Sequence, residues 1–358
     1  MKPKVVSIFS GGGFLDIGFM QDFDIVLAYD TDPKAVKAYT DNIGHHAWCI
    51  DVTKTSFKSI SGEIDGLIGG PPCQDYSMAG RGAGETGDRG KLVYDYLNKI
   101  DELKSKWFLF ENVKGLVSKK HIETFNNLLQ EFDNLGYAVS WKVLNAWHYG
   151  VAQNRERVFI VGIRKDLNVV FEWPELIPEG ERKVLRDAIG DLPALPNNEV
   201  KLINEKAIEG YERRYGSNKM GAFSFRVNEW DKPSPTIQGR IFNEGKAFVH
   251  PELYNHQCFN NVGCNPTWEH ANRVTDLDKP APTRTGKDRC DGINNIKCQY
   301  RRFTVRECMR IQSIPDWYVF DDSISLTAQY RIVGNGVPCL LAEKLAGQIV
   351  KCLYHNPK

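Results

Sequence analysis

Cys73 follows two prolines in Gly69-Gly-Pro-Pro-Cys-Gln-Asp-Tyr-Ser77, directly after the apolar run Asp65-Gly-Leu-Ile-Gly69. Prolines fix φ and remove backbone donors, so a thiol carried on such a stiff turn at a strand's C-terminal edge is placed as a nucleophile. Glu111, in Glu111-Asn-Val113, follows a second apolar run, Trp107–Phe110, and belongs to the same sheet edge. A carboxyl group in an apolar setting holds its proton to higher pH and can act as an acid, although a structural ion pair is an equal reading of Glu111 alone. Gln153, Arg155 and Arg157 alternate ahead of a further apolar run, and period-two spacing points them to one face. Three donors there suit an anionic or carbonyl-bearing ligand; a surface run of arginines would have the same spacing.

These residues need a framework. Apolar runs rich in β-formers fall at 5–9, 25–28, 66–68, 107–110, 139–144 and 158–163, with helical spacing at 33–42, 91–103 and 121–135. Strands alternating with helices predict an α/β fold, a doubly wound, mostly parallel sheet with ligand sites at the strand C-termini. After about residue 170 the chain turns to short Pro-, Asn-, Gly- and Arg-rich segments. With 358 residues the chain exceeds the usual size of a single core. The expected division is a catalytic and cofactor-binding domain over 1–185, a smaller loop-rich domain over 186–300, a hinge over 301–327 and a segment over 328–358 that packs back on the first domain.

The first strand runs into Ser10-Gly-Gly-Gly13 and then a helical stretch beginning Phe14-Leu15. Glycines there admit a ligand close to the backbone, and the helix start offers free N–H groups. Asp30 and Asp51 end the next two strands; in such folds they accept from ribose and from an adenine amino group, and either could equally be a helix N-cap.

Composition narrows the partners. The net charge is +1, yet residues 1–70 hold six basic against nine acidic residues while 270–310 hold ten against five. That basic zone is suited to phosphates, or is a solvated face. Nine cysteines, an odd number without a Cys-x-x-Cys pair, suit a reducing cytoplasm. No apolar stretch reaches membrane-spanning length, and the glycines at 11–13 interrupt the first apolar run too early for a secretory core. Cys258, Cys264, Cys290 and Cys298 lack the tight spacing of structural zinc pairs, so no metal is expected.

Seven motifs, in order, carry a resemblance to the DNA (cytosine-5)-methyltransferases, closest to bacterial restriction-modification enzymes. They are Phe9-Ser-Gly-x-Gly13, Pro71-Pro-Cys-Gln74, Arg89-Gly-Lys-Leu92, Glu111-Asn-Val113, Gln153-x-Arg-x-Arg157, Arg302-Phe-Thr-Val-Arg-Glu307 and Gly334-Asn-Gly-Val-Pro338. The resemblance covers nearly the whole chain. It implies a Rossmann-like enzyme that moves a methyl group from S-adenosylmethionine to carbon 5 of a flipped-out cytosine in a short double-stranded DNA sequence. It implies a covalent role for Cys73, an acid role for Glu111 at N3, and ring contacts from Arg157 with Arg155 beside it. The implied cofactor pocket comprises Phe9, Ser10, Gly11, Gly13, Leu15, Asp30, Asp51, Val52, Pro72, Leu92 and Asn335. Two departures stand out: Phe14 replaces a common glycine, and Asp30-Thr31 replaces a glutamate followed by an aromatic, which should weaken adenine stacking.

Residues 75–90, with five glycines and two arginines, suit a flap closing on DNA through Ser77, Arg81 and Arg89, or are a disordered loop. Arg226–Arg240 recurs 47 residues later as Arg273–Lys287. Arg226, Gln238, Arg240, Arg273, Arg284 and Lys287 are the candidates for base contacts there. The expected enzyme is a cytoplasmic monomer whose functional partner is a cognate restriction endonuclease. A transfer-RNA methyltransferase shares the architecture but not the long, repeat-bearing second domain. A non-catalytic DNA-binding relative would lack the cysteine or the acid, and a nicotinamide-dependent oxidoreductase would have no use for Pro-Pro-Cys.

Overall fold

The computed structural model describes residues 1–60, 62–72, 92–192, 231–237 and 303–355. Cys73, the 75–90 segment, the four widely spaced cysteines and all nine candidate DNA contacts lie outside the described residues.

A seven-stranded sheet carries the fold. Its strands are β1 (Lys4–Ile8), β2 (Asp24–Asp30), β3 (Ala47–Cys49), β4 (Gly66–Gly69), β5 (Trp107–Val113), β6 (Tyr137–Asn145) and β8 (Glu156–Arg164), in spatial order β3-β2-β1-β4-β5-β8-β6. The pairs from β3 through β5 are parallel, whereas β8 runs antiparallel to both β5 and β6. The helices connecting the parallel part are α1 (Phe14–Phe19), α2 (Pro33–Asn42) and α3 (Leu92–Leu103); α4 (Ile122–Asn134) leads into β6. Asp32 caps α2 by accepting from the Lys34 N–H, and Pro33 takes the first helical position, where its missing donor costs nothing.

Both faces of the sheet are covered, so the central strands are nearly continuous apolar runs. Alternation divides them between two cores. Phe108 and Phe110 of β5 face Tyr96 and Ile100 of α3 and Phe125, Leu128 and Phe132 of α4. Trp107 and Leu109 face Leu15 and Phe19 of α1 and Leu341, Leu345 and Ile349 of α8 (Cys339–Val350). The chain after residue 328 thus packs against the sheet through α8.

A third apolar cluster joins α5 (Leu185–Ile189), α6 (Val305–Ile311) and α7 (Leu326–Asn335) to Phe14, Ala35 and Ala38 beside the sheet. Thr304 and Glu307 form a capping box at the start of α6. Residues 231–237, inside the segment expected to read sequence, contribute to a separate two-stranded sheet: β9 (Ser234–Pro235) pairs in parallel with β7 (Gln153–Asn154), which immediately precedes β8, and the Thr236 hydroxyl donates to the Asn154 carbonyl at 2.8 Å.

Candidate active site at the strand ends

Glu111 and Arg157 meet because of strand register. Val113 of β5 is opposite Arg157 of β8, so Glu111, two residues earlier on the same face, is its diagonal neighbour. The Arg157 Nε lies 3.1 Å from Glu111 Oε1, and the two side chains are 15% and 11% exposed. Burial raises the Glu111 carboxyl above its ordinary range, outweighing the opposing pull of Arg157 and Arg155. Burial also works against the charge on Arg157, which Glu111 sustains.

The chain leading to Cys73 is fastened to this pair. A Cβ on Gly70 would stand 2.7 Å from Glu111 Oε2, so only glycine lets the backbone pass beneath that carboxylate. Asn112 Nδ2 donates to the Pro71 carbonyl at 3.3 Å. Pro71 is buried, and Pro72, the residue before the cysteine, is exposed.

Arg155 has a different environment from Arg157. It is 1% exposed and donates to three main-chain carbonyls: Ile237 at 2.9 Å through Nη1, and Gly334 at 3.0 Å and Gly336 at 2.9 Å through Nη2. Gln153 is fully buried, and its carboxamide has no hydrogen-bond partner among the described residues.

Toward the other end of the sheet, three residues of the glycine turn take left-handed φ values: Phe9 at 56°, Gly11 at 55° and Gly13 at 81°. A non-glycine residue there is strained, and its strain is held by the turn around it. A Cβ on Gly11 would meet no protein atom within 4 Å, so open space faces that residue. Gly13, in contrast, has Tyr39 and Ile43 against it. Asp30 accepts from the Gly11 N–H and the Asp32 N–H, both at 2.8 Å. Its carboxyl is raised by burial, against which these N–H bonds act. The Thr31 N–H acts in the same sense, so three backbone donors leave the carboxylate with acceptor capacity to spare.

Asp51 caps the helical turn Val52–Lys54, accepting from the Thr53 hydroxyl at 2.8 Å and the Thr53 N–H at 3.0 Å, and these bonds lower its carboxyl. Val52 is buried, Ser10 donates through its hydroxyl to the Tyr29 carbonyl, and the Leu15 side chain belongs to the core under α8. Leu92 opens α3 half-buried, and Asn335 closes α7 exposed.

Two features escaped sequence reasoning. Asp16, fully buried in α1, accepts from the Ser7 hydroxyl at 2.7 Å and the Tyr39 hydroxyl at 2.8 Å, with His46 Nε2 3.0 Å beyond Tyr39. Burial raises its carboxyl to about 6. The signal was a carboxylate inside an otherwise apolar helix start, Phe14-Leu-Asp-Ile. Tyr318 donates to the Gly12 carbonyl at 2.8 Å, a contact across 306 residues that no local pattern encodes.

A doubly wound sheet ending in a strained glycine turn and a buried carboxylate–guanidinium pair is the frame of a group-transfer enzyme. Residues 3–351 match the C-5 cytosine-specific DNA methylase family, and the chain belongs to it. It is 38% identical to the type II methyltransferase M.FnuDI of Fusobacterium nucleatum, covering 99% of this chain and 96% of that one. M.MthTI of Methanothermobacter thermautotrophicus is also 38% identical, over 99% and 98% of the two chains. Among solved structures, the S. pombe Dnmt2 methyltransferase superposes with a TM-score of 0.69 at 18% identity, covering 98% of this chain and 99% of the other, a likeness of fold. The protein is a type II DNA cytosine-5 methyltransferase of a restriction-modification system, and its family uses S-adenosylmethionine. No described helix is long and apolar enough to cross a membrane.

Proposed function

We propose that the enzyme methylates carbon 5 of a cytosine extruded from a short duplex sequence, by way of a transient bond between Cys73 and carbon 6. The observation that supports this most is the buried Glu111–Arg157 pair 3.1 Å apart, against which the Gly70-Pro71-Pro72 backbone leading to Cys73 is packed. Carbon 5 of cytosine is a weak nucleophile. Addition of the Cys73 thiolate at carbon 6 moves the ring's π electrons toward N3, where the Glu111 carboxyl, its pKa raised by burial, supplies a proton. Arg157 donates to the ring carbonyl and keeps the Glu111 carboxyl oriented. Carbon 5 then takes the methyl group as its bond to the donor's sulfonium sulfur breaks, leaving S-adenosylhomocysteine; the carbon 5 proton leaves to water, the thiolate departs as the bond between Cys73 sulfur and carbon 6 breaks, and N3 returns its proton to Glu111.

S-adenosylmethionine supplies an electrophilic methyl group when bound. The residues present fit it: Gly11 faces open space, Asp30 is held with lone pairs free, and Asp51 is partly exposed beside it on the next strand end. Phe9, Ser10, Gly13, Val52, Pro72, Leu92 and Asn335 would complete the pocket, with Leu15 behind it in the core. The basic 270–310 stretch and the repeated segments, described only at 231–237 and 303–310, are assigned to DNA, with Ser77, Arg81 and Arg89 as further contacts. A DNA substrate and the cysteine usage favour a cytoplasmic enzyme, and its relatives' type II class favours a cognate endonuclease as functional partner. A monomer suffices, since every proposed site residue comes from one chain.

Bisulfite sequencing of DNA from cells expressing the protein, beside Cys73→Ser, tests the reading. Wild type should mark one short sequence, and the variant should mark nothing while still binding S-adenosylhomocysteine. Turnover near wild type in Cys73→Ser would refute it.

A further inference from the structure

We propose that Arg155 is a positioning residue that couples the two substrates: its guanidinium joins the chain leading into the DNA-reading region to the turn at the cofactor edge, so that each substrate strengthens the other's binding. This rests on the methyl-transfer reading above and assigns to Arg155 a task other than holding the cytosine ring.

The argument begins with cost. A buried cation is expensive to desolvate, and an apolar side chain of similar size is usually tolerated at least as well. Arg155 is 1% exposed, and among the described residues no carboxylate hydrogen-bonds to it; Glu111 supports its charge only through space. Its partners are instead three carbonyls from two chain segments remote from its own, Ile237 on one side and Gly334 with Gly336 on the other. A rigid planar fork is the side chain that can fix three acceptors in one arrangement; an ammonium is a point donor on a flexible stem.

Each partner is itself coupled to one substrate's region. Ile237 is fully buried at the end of the β9 segment, which is held by the Ser234 N–H donating to the Ala152 carbonyl at 2.9 Å and by Thr236 donating to Asn154. The next residue, Gln238, is one of the candidate base contacts. On the other side, Gly336 has the Phe14 ring so close that any Cβ would collide with it. Phe14 lies edge-on to Tyr318, with ring centroids 5.0 Å apart, and Tyr318 donates to the Gly12 carbonyl. Ile332 of α7 also presses on Gly12, where a Cβ would be 2.6 Å from its Cγ2. A contiguous path of side-chain contacts, several of them to main-chain carbonyls, thus runs from Ile237 through Arg155 and Gly336 to Phe14, Tyr318 and the glycine turn. Contiguity alone does not establish coupling, so the test must measure coupling itself.

The measurement is S-adenosylhomocysteine affinity by calorimetry, alone and with saturating duplex of the sequence that bisulfite mapping identifies, together with the reciprocal duplex titration. In wild type, each ligand should tighten the other by the same factor, about tenfold. In Arg155→Lys the two separate affinities should stay close to wild type while that factor falls toward one. A residue with a merely structural role would lower the melting temperature and leave the factor intact. Should Arg155→Lys fail to fold, Phe14→Leu decides, because it loosens the same path without touching Arg155; a retained factor there overturns the proposal. A wild-type enzyme that methylates DNA yet binds cofactor equally tightly with and without duplex also overturns it, and leaves the methyl-transfer reading standing.

Discussion

Two regions of the sheet edge bury a carboxylate, and they neutralise it differently. At β5, Glu111 faces the guanidinium of Arg157. Beneath the glycine turn, the side chains that donate to Asp16 among the described residues are the hydroxyls of Ser7 and Tyr39, and none of them is a cation. A carboxyl matched by a cation beside a reaction site can exchange its proton while remaining held in place. A carboxyl matched by two hydroxyls is a packing joint, tying β1, α1 and α2 together at one buried point. The difference therefore lies in the partner supplied, not in the degree of burial.

The largest expected effect follows from Glu111→Gln. The amide cannot deliver a proton to N3, so kcat should fall by roughly a hundredfold or more, within the range of lost general acid catalysis, while duplex affinity is retained. Unchanged single-turnover rates would break the contrast, making Glu111 as structural as Asp16. Arg157→Lys should cost less, about tenfold in kcat, because a lysine keeps the charge and loses the fixed fork. Its cofactor–duplex coupling should remain at the wild-type value, which separates it from Arg155→Lys; a shared phenotype would merge the two arginines into one function.

The smallest effect is one of stability. Asp16 has a folded-state pKa of about 6, above the ordinary 3.8, so its contribution is full below that ordinary value and is lost as pH rises through about 6. A shift of this size corresponds to roughly 3 kcal/mol lost by neutral pH. Asp16→Asn cannot ionise. Urea unfolding near pH 5 should show the variant less stable by about 1 kcal/mol, through imperfect hydroxyl pairing, and near pH 8 the variant should draw level or lead. A pH-independent gap would mean that Asp16 does not titrate in this range.

The signals for the proposed site are local. A cysteine after two prolines, an acid closing an apolar run and a glycine turn after the first strand each declare themselves within ten residues. The helical spacing at 33–42 coincides with α2, and the run at 107–110 lies within β5. Period two also placed Gln153, Arg155 and Arg157 on one face, with Asn154 and Glu156 exposed between them. The same periodicity said nothing of strand direction. A helical crossover favours parallel pairing, whereas the short link from β6 to β8 reverses the chain and produces the antiparallel pairs.

The alternation of the main strands and helices, the proposed sheet edge and the residue types available there follow from the sequence alone, because propensity and alternation act over a few neighbours; the short strand Ala47–Cys49 has too few residues to show such a pattern. Tertiary structure decided which arginine faces a carboxylate and which spans three carbonyls, why Phe14 is accommodated where glycine is common, and that Asp16 is sealed from solvent. Those outcomes depend on what arrives from residues 237, 318 and 334–336, and a buried charge is defined by the partner that reaches it, however distant in the chain.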